Sequence, residues 1–432
     1  MSVADASRTI EAYDQEVSRF QRRNFWCNVL DGNLWDFGSS FIAFGTVIPV
    51  FILTLGGNNL TVACIPFLTI ICLNLPSALF VHFIEGLDRK KPFVLLTGAL
   101  LRLAWCIAAI ACCLLAKDRP HAMLAVLMGC IIVFFAIDGA AIPAWFDLVA
   151  KTVPVKIRGK MMSFRFCGGS VLGAAGGFIT ALILSRIAFP LNYGLLFFLA
   201  FALYMISLGT IACIHEPVFP HKPPEKTMGE VFKALFSTIK SNPNFAWFIV
   251  VRAATTIAAT SIAFYVVYIT KKYGLPASYS GIFTAVIIGS IMVFGPLIGA
   301  IADKRGNKIS FIISLSAAAL AAGGVLLVHG VNWFYPVLAV LGIAQVAVQI
   351  ADLPMTVEFC PVQDQPLYIA TCQVLMAPVA LLSLGFGSLA DHLGYPTLFV
   401  IIGAIALLGL ALAAFKLKDP RHRAGNGIAA GA

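Results

Sequence analysis

About a dozen apolar stretches, each near the length that crosses a bilayer as a helix, follow one another through this 432-residue chain. They run without the period-2 alternation that a membrane barrel needs, so the pattern calls for helices. Hydrophobic residues make up 60% of the chain and charged residues 12%, with a mean hydropathy of +0.91. A water-soluble globule of this size carries far more polar surface, which excludes a soluble enzyme. The expectation is an all-α integral membrane protein with twelve transmembrane helices in two pseudo-symmetric six-helix bundles.

Hydropathy places the spans at 27–54, 60–83, 93–115, 122–146, 161–184, 193–213, 246–269, 279–302, 309–328, 333–353, 367–388 and 396–415. The opening segment MSVADASRTIEAYDQEVSRF has no apolar core behind a basic region, so the first span is expected to direct insertion. The net charge of +10 does not point to nucleic acid, because lysine and arginine collect in short connections. Of the 30, 22 fall on one side of the predicted topology, 5 on the other and 3 (Arg102, Arg165 and Arg252) within spans. Positive charge stays on the cytoplasmic side, so both termini are expected there. The eleven cysteines lie mostly inside apolar runs and show no metal-binding spacing; they read as small buried hydrophobes, with no metal and no cofactor expected.

These spans divide the chain into a cytoplasmic arm (1–26), a six-helix bundle (27–213), a linker (214–245), a second bundle (246–415) and a tail (416–432). In the linker, prolines oppose helix at first. Val231, Leu235 and Ile239 then recur at four-residue steps, as in an amphipathic helix at the membrane surface. The two bundles repeat. Gly86-Leu87-Asp88-Arg89-Lys90-Lys91 follows span 2, and Gly299 to Lys308, with Asp303, Lys304, Arg305 and Gly306, follows span 8. Pro143 precedes Asp147 by four residues after span 4, and Pro354 precedes Glu358 by four after span 10. Duplicated halves are a common transporter design.

With these turns in place the chain resembles the major facilitator superfamily. The resemblance rests on twelve spans, a central linker and the Gly-x-x-x-Asp-basic-x-Gly-x-basic loop, which Gly299–Lys308 matches closely. The first copy departs from it, with Ile84 at the leading glycine and Lys91 at the inner one; a third echo runs from Gly387 through Asp391 to Gly394. The resemblance implies two six-helix domains rocking about a central site, in many members driven by a proton or ion gradient. It says almost nothing of the substrate.

Charge inside a span is costly unless paired or facing water, which marks such residues as candidates. Span 1 is densest, with Asn28, Asp31, Asn33, Trp35 and Asp36; Asp31 and Trp35 share one helix face, while Asp36 lies about 100° round. Two roles stand open for these acids: binding substrate or proton, or a network tying span 1 to its neighbours. Arg102, Arg165 and Arg252 supply the positive partners; Arg165 can alternatively snorkel to headgroups, and Arg102 and Arg252, left unpaired, would attract an anion. Asp138 in span 4, and Gln345 and Gln349 in span 10, complete the proposed substrate and proton set; Asp36 and Gln349 are expected to line one cavity. Asp88, Arg89, Asp147, Arg158, Asp303, Arg305, Asp352 and Glu358 are assigned to gating. Gly169, Gly173 and Gly177 in span 5 form a small-residue face for close helix contact.

The expected function is secondary active transport of a small polar or amphiphilic solute by alternating access, coupled to protons, in the plasma membrane (the inner membrane in a bacterium). A non-transporting receptor or scaffold on the same fold is the alternative. The expected partners are a small-molecule substrate, protons and membrane lipids, with no nucleic acid and no obligatory protein partner. Anion, zwitterion and cation, and import and export, all remain open.

Overall fold

Leu96, Leu100, Leu103, Ile107, Ile110 and Leu114 recur at three- and four-residue steps along one helix, and all six are exposed, from 46% to 70%. The opposite face of that helix buries Leu101, Arg102, Trp105 and Ala108. Apolar residues outside and a charge inside make an inverted amphipathic helix, which lipid tolerates and water does not. In hydrocarbon each backbone group must also find its partner within the segment, which is why the chain is helical throughout.

The structure is a computed structural model and describes residues 3–218, 242–327, 329–360 and 365–420. The amphipathic helix expected at 226–240 lies outside them. Among the described residues there are fourteen α-helices: α1 (Val3–Phe41), α2 (Val47–Thr54), α3 (Asn59–Glu85), α4 (Lys91–Leu115), α5 (Pro120–Thr152), α6 (Val155–Arg186), α7 (Leu191–Ala212), α8 (Pro243–Thr260), α9 (Ile262–Tyr273), α10 (Tyr279–Arg305), α11 (Lys308–Leu327), α12 (Phe334–Glu358), α13 (Gln365–His392) and α14 (Gly394–Phe415). Eleven segments of the described chain are helical, long and apolar enough to cross a membrane, with α8 and α9 counted as one. The chain is a multi-pass integral membrane protein. Helix α1 falls outside the eleven because Asn24, Asn28, Asp31, Asn33 and Asp36 lower its hydropathy. It begins at Val3, so the arm and the first span form one continuous helix.

Two compact units share these helices: Met1–Ala43 with Ile71–Lys226, and Phe44–Ile70 with Thr227–Ala432. In unit 1 the main packing pairs are α1 with α6 and α7, and α4 with α5 and α7. Unit 2 repeats them with α8 on α13 and α14, and α11 on α12 and α14. Pro143 lies inside α5 and Pro354 inside α12, so this feature of the repeat is structural. Glycine sets the closest approach in unit 1. A Cβ at Gly169 would collide with the Asp36 carboxylate, and one at Gly176 with the Ser40 hydroxyl, so α1 lies directly on the glycine face of α6.

Each unit is tied at its basic-loop end by the same set of bonds. Asn24 Nδ2 donates to the His215 carbonyl (3.0 Å) and Asn24 Oδ1 accepts from His215 N (2.9 Å). Asn244 makes the same two-point contact with Lys418 (2.8 Å each). The next residue is an acid in both cases. Glu216 accepts from the backbone N–H of Lys90 (2.7 Å) and Lys91 (2.8 Å) at the start of α4, and Asp419 from that of Lys308 (3.3 Å) at the start of α11. A carboxylate at a helix N-terminus satisfies orphan N–H groups and complements the dipole. Lys91 Nζ then reaches the Ile214 carbonyl (2.8 Å) and Lys308 Nζ that of Ala414 (3.0 Å).

Candidate functional site

The centre of unit 1 is built on Asp31, which is 3% exposed. Arg165 on α6 donates from Nη1 to Asp31 Oδ2 (2.7 Å) and to the Asn28 carbonyl (2.8 Å), with its guanidinium 4.8 Å from the Trp145 ring. Gly32 makes room for this arm, since a Cβ there would overlap the Arg165 side chain. The other carboxylate oxygen accepts from Ser207 Oγ on α7 (2.6 Å). Arg102 on α4 then donates to that hydroxyl (3.4 Å), to the Tyr204 carbonyl (2.6 Å) and to the Gly98 carbonyl (2.6 Å). Asp31 is therefore the hub of a network joining α1, α4, α6 and α7. Of the two roles open from sequence, the tying role is the one its contacts fill.

The partner is a correction. Arg165 does not snorkel to a headgroup; it turns inward because the glycines of α6 bring α1 within reach of its arm. Arg102 does not pair directly with a span 1 acid and reaches Asp31 only through Ser207. Around the network stand aromatic rings. Trp35 stacks on Tyr204 (4.5 Å) and faces Phe134 (5.9 Å), with the Arg102 guanidinium 5.4 Å from the Trp35 ring. The Tyr204 hydroxyl shares a 2.8 Å hydrogen bond with Ser39.

Asp36 and Asp138 differ from Asp31. Both are half-buried, and neither makes a hydrogen bond or ion pair with another described residue. The Asp36 carboxylate lies against Gly169 and Asn33 against Gly168. Asp138 is within electrostatic reach of Arg102 and Tyr204, and Asp36 within that of Arg165 and Tyr204.

In unit 2, Arg252 on α8 closes a two-point bridge to Asp352 on α12: Nε to Oδ1 at 2.6 Å and Nη2 to Oδ2 at 2.7 Å. Sequence had divided this pair between site and gate; the structure makes it a single neutralised unit. Gln345 is half-buried and Gln349 exposed on the same helix.

At the basic-loop end of unit 1, Asp147 faces Lys151 (3.2 Å) and Lys90 (3.6 Å). Lys90 is 3% exposed and its ammonium also donates to the Ile84 and Leu87 carbonyls. Burial first, and then Lys151, pulls it below the usual lysine range, partly offset by Asp147. Arg158 caps the end of α5 through the Ala150 (2.9 Å) and Val153 (3.1 Å) carbonyls. In unit 2, Glu358 accepts from Asn307 (2.8 Å). Asp88, Arg89, Asp303 and Arg305 are all exposed. Asp303 lies in the last turn of α10, whereas Asp88 lies beyond the end of α3, so the two loop acids are not structurally equivalent.

At the opposite end of unit 2, Asn59 donates to Asp391 (2.6 Å) and accepts from Lys271 (3.2 Å) and the Tyr395 hydroxyl (2.6 Å). That gives the acid of the third sequence echo a structural role. A nearby depression of about 530 Å³, lined by Val50, Thr54, Lys271 and Gly274, shares no residue with the polar network of unit 1. All eleven cysteines are free thiols, three of them exposed. Among the described residues no group of three His, Cys, Asp or Glu could hold a metal.

Sequence reasoning missed Ser207, Tyr204, and the clamp residues Asn24, Glu216, Asn244 and Asp419. A signal for the clamp was present. His215-Glu216-Pro217 and Lys418-Asp419-Pro420 repeat a basic–acid–proline triplet just past the last span of each half, and Asn24-Phe25 matches Asn244-Phe245. Ser207 and Tyr204 carried no such mark.

A duplicated pair of helical units, lined at mid-depth by acids and arginines and coated outside by leucine and isoleucine, is the build of a membrane transport protein. The family model of the Major Facilitator Superfamily matches residues 33–382, and the chain belongs to that superfamily. Among solved structures it is similar to a mutant form of the nucleoside transporter NupG, with 12% identity, a TM-score of 0.69 and coverage of 92% of this chain and 100% of that one. A POT family transporter in complex with a thioalcohol-conjugated peptide gives 13%, 0.71, 91% and 95%. A D-xylose-proton symporter gives 14%, 0.68, 92% and 98%. At such identities the likeness is one of fold. A search of curated protein sequences matches none.

Proposed function

We propose that the chain is a proton-coupled secondary active transporter of a small polar or amphiphilic solute, working by alternating access. The observation that carries this reading is the division of labour among the acids of unit 1. Asp31 is held by Arg165 and Ser207, while Asp36 and Asp138 keep their carboxylates without a protein partner inside the membrane region. A carboxylate left unpaired at that depth is costly, and taking up a proton relieves the cost. The proton symporter among the similar structures supports this reading by analogy of fold.

With α1 and α2 counted as the twelfth span, the bundle would have six spans in each half. The 22-to-5 distribution of basic residues supports cytoplasmic termini and a cytoplasmic 214–245 linker. Labelling of a cysteine placed at residue 226 by an impermeant reagent added outside intact cells contradicts that orientation. The exposed Asp88, Arg89, Asp303 and Arg305, with the Asp147 and Glu358 clusters, are proposed to steer the switch between states.

Proteoliposomes test the coupling. Asp36→Asn and Asp138→Asn are expected to abolish gradient-driven accumulation while leaving solute exchange measurable, since exchange needs no net proton movement. Full accumulation by both variants rejects these acids as proton sites. Absence of both accumulation and exchange in the unsubstituted protein, across a broad solute panel, favours the receptor reading.

A further inference from the structure

The centre of unit 1 is rich in unmet acceptors, and both of its guanidinium groups already serve protein acceptors. Arg165 Nη1 serves Asp31 and the Asn28 carbonyl. Arg102 uses Nε, Nη1 and Nη2 on Tyr204, Gly98 and Ser207. Ser207 gives its hydrogen to Asp31. Left over are the carboxylates of Asp36 and Asp138 and two buried amide oxygens, Asn28 Oδ1 and Asn33 Oδ1. Asn28 is 0% exposed, and because its Nδ2 donates to the Asn24 carbonyl (2.8 Å), the orphan is fixed as the oxygen. Buried acceptors of this kind normally have a partner, so each unmet one asks what supplies the donor.

Charge points the same way. Ionised, Asp31, Asp36 and Asp138 face Arg102 and Arg165, three negative groups against two positive, whereas Arg252 and Asp352 cancel within unit 2. An anionic solute would add to the excess and find Arg102 engaged through all three of its nitrogens and Arg165 already paired with Asp31. A solute with a positive nitrogen brings both the missing charge and the missing N–H donors.

We infer that the solute carries a cationic nitrogen, an ammonium or guanidinium group, bound at Asp36 or Asp138 in competition with the coupling proton. This rests on the transporter reading and names its substrate class. The body attached to that nitrogen meets an aromatic wall, Trp35 with Phe134 and Tyr204, and the Trp35 ring already has one guanidinium beside it.

Three ring-bearing probes of similar size test this: 2-phenylethylammonium, phenylacetate and 2-phenylethanol. Unfolding temperatures of the purified full chain in mildly alkaline detergent solution report binding, since a ligand of the folded state raises them. The ammonium probe is expected to stabilise the protein more than the carboxylate or the alcohol, and acidification is expected to weaken it. Asp36→Asn or Asp138→Asn, whichever removes the carboxylate that holds the nitrogen, should weaken its apparent affinity about tenfold or more, the scale of a lost charge-assisted contact. The exposed Asp118→Asn should leave it unchanged. The unliganded unfolding temperature of each variant separates lost binding from lost folding. No stabilisation by the ammonium, a larger one by phenylacetate, or unchanged affinity in both Asn variants overturns the inference. Counterflow of the labelled probes separates the two claims. An ammonium probe that binds as described but never crosses sinks the transporter reading and leaves the charge assignment; a phenylacetate that binds and crosses does the reverse.

Discussion

Asn24 and Asn244 occupy the same place in the two units and make the same bonds, an amide closed on the backbone of the residue before an acid. Halfway into the membrane the units part company. Unit 1 threads four helices on a chain of Arg102, Ser207, Asp31 and Arg165, while among the described residues unit 2 has the bridge of Arg252 to Asp352, which joins two helices. The helix ends have kept one solution because both copies face one folding problem, orphan N–H groups at the start of α4 and of α11. The interiors answer to whatever enters them. On the function proposed above, the solute-specific chemistry belongs to unit 1.

That comparison can be broken in several places. The largest effect is expected at Arg165. Arg165→Met strands a carboxylate whose side chain is 4% exposed, a loss of about 3–5 kcal/mol in unfolding measurements on detergent-solubilised protein. Arg252→Met should cost clearly less, because the Asp352 side chain is 28% exposed and keeps some contact with solvent. The reverse order would mean that unit 2 carries the tighter network. Adding Asp31→Asn to Arg165→Met should recover much of the loss.

The clamps come next. Glu216→Gln and Asp419→Asn each weaken a charge-assisted cap on buried groups, with an expected cost of about 1.5–3 kcal/mol and similar values for the two. A large effect in one and none in the other contradicts the equivalence of the two ends. Glycine then separates packed from open positions, although α13 has a close-packed glycine of its own in Gly387. Gly176→Val should destabilise by about 1–3 kcal/mol through the clash with Ser40 and Phe37, while Gly385→Ala, facing open space, should change little. Smallest is Asp303→Asn, an exposed site expected to move stability by less than about 0.5 kcal/mol. Its effect belongs in the transport rate, with affinity in one fixed conformation unchanged within a few-fold. Lost affinity there would place Asp303 in the binding site.

The helices, their approximate bounds and the duplication were legible because hydropathy and turn prolines are local properties of sequence. The charged residues were legible as a set, since any charge in a span stands out. Their pairing was not. Arg165 looks like a residue within reach of headgroups until Gly168 and Gly169 set the depth and rotation of α6 against α1, and rotation is a tertiary outcome. Asp88 and Asp303 show the same limit on a smaller scale. They match in sequence pattern, but α3 ends at Glu85 while α10 continues to Arg305, so one acid is in a turn and the other on a helix. Glu216 and Asp419 were missed for a different reason. They lie just outside the spans, where attention to intramembrane charge does not reach.

Ser207 has one hydrogen and two neighbours that want different things from it. Facing an ionised Asp31 it points that hydrogen at the carboxylate and turns a lone pair to Arg102, so the hydroxyl has a direction. Were Asp31 to become the donor, the hydroxyl would have to rotate and accept from both neighbours, turning its hydrogen away from the carboxylate. A rotor of two atoms would thus register whether the aspartate beside it is charged and relay the answer to α4. An alanine at position 207 would remove both the rotor and one of the two donors that hold the buried Asp31.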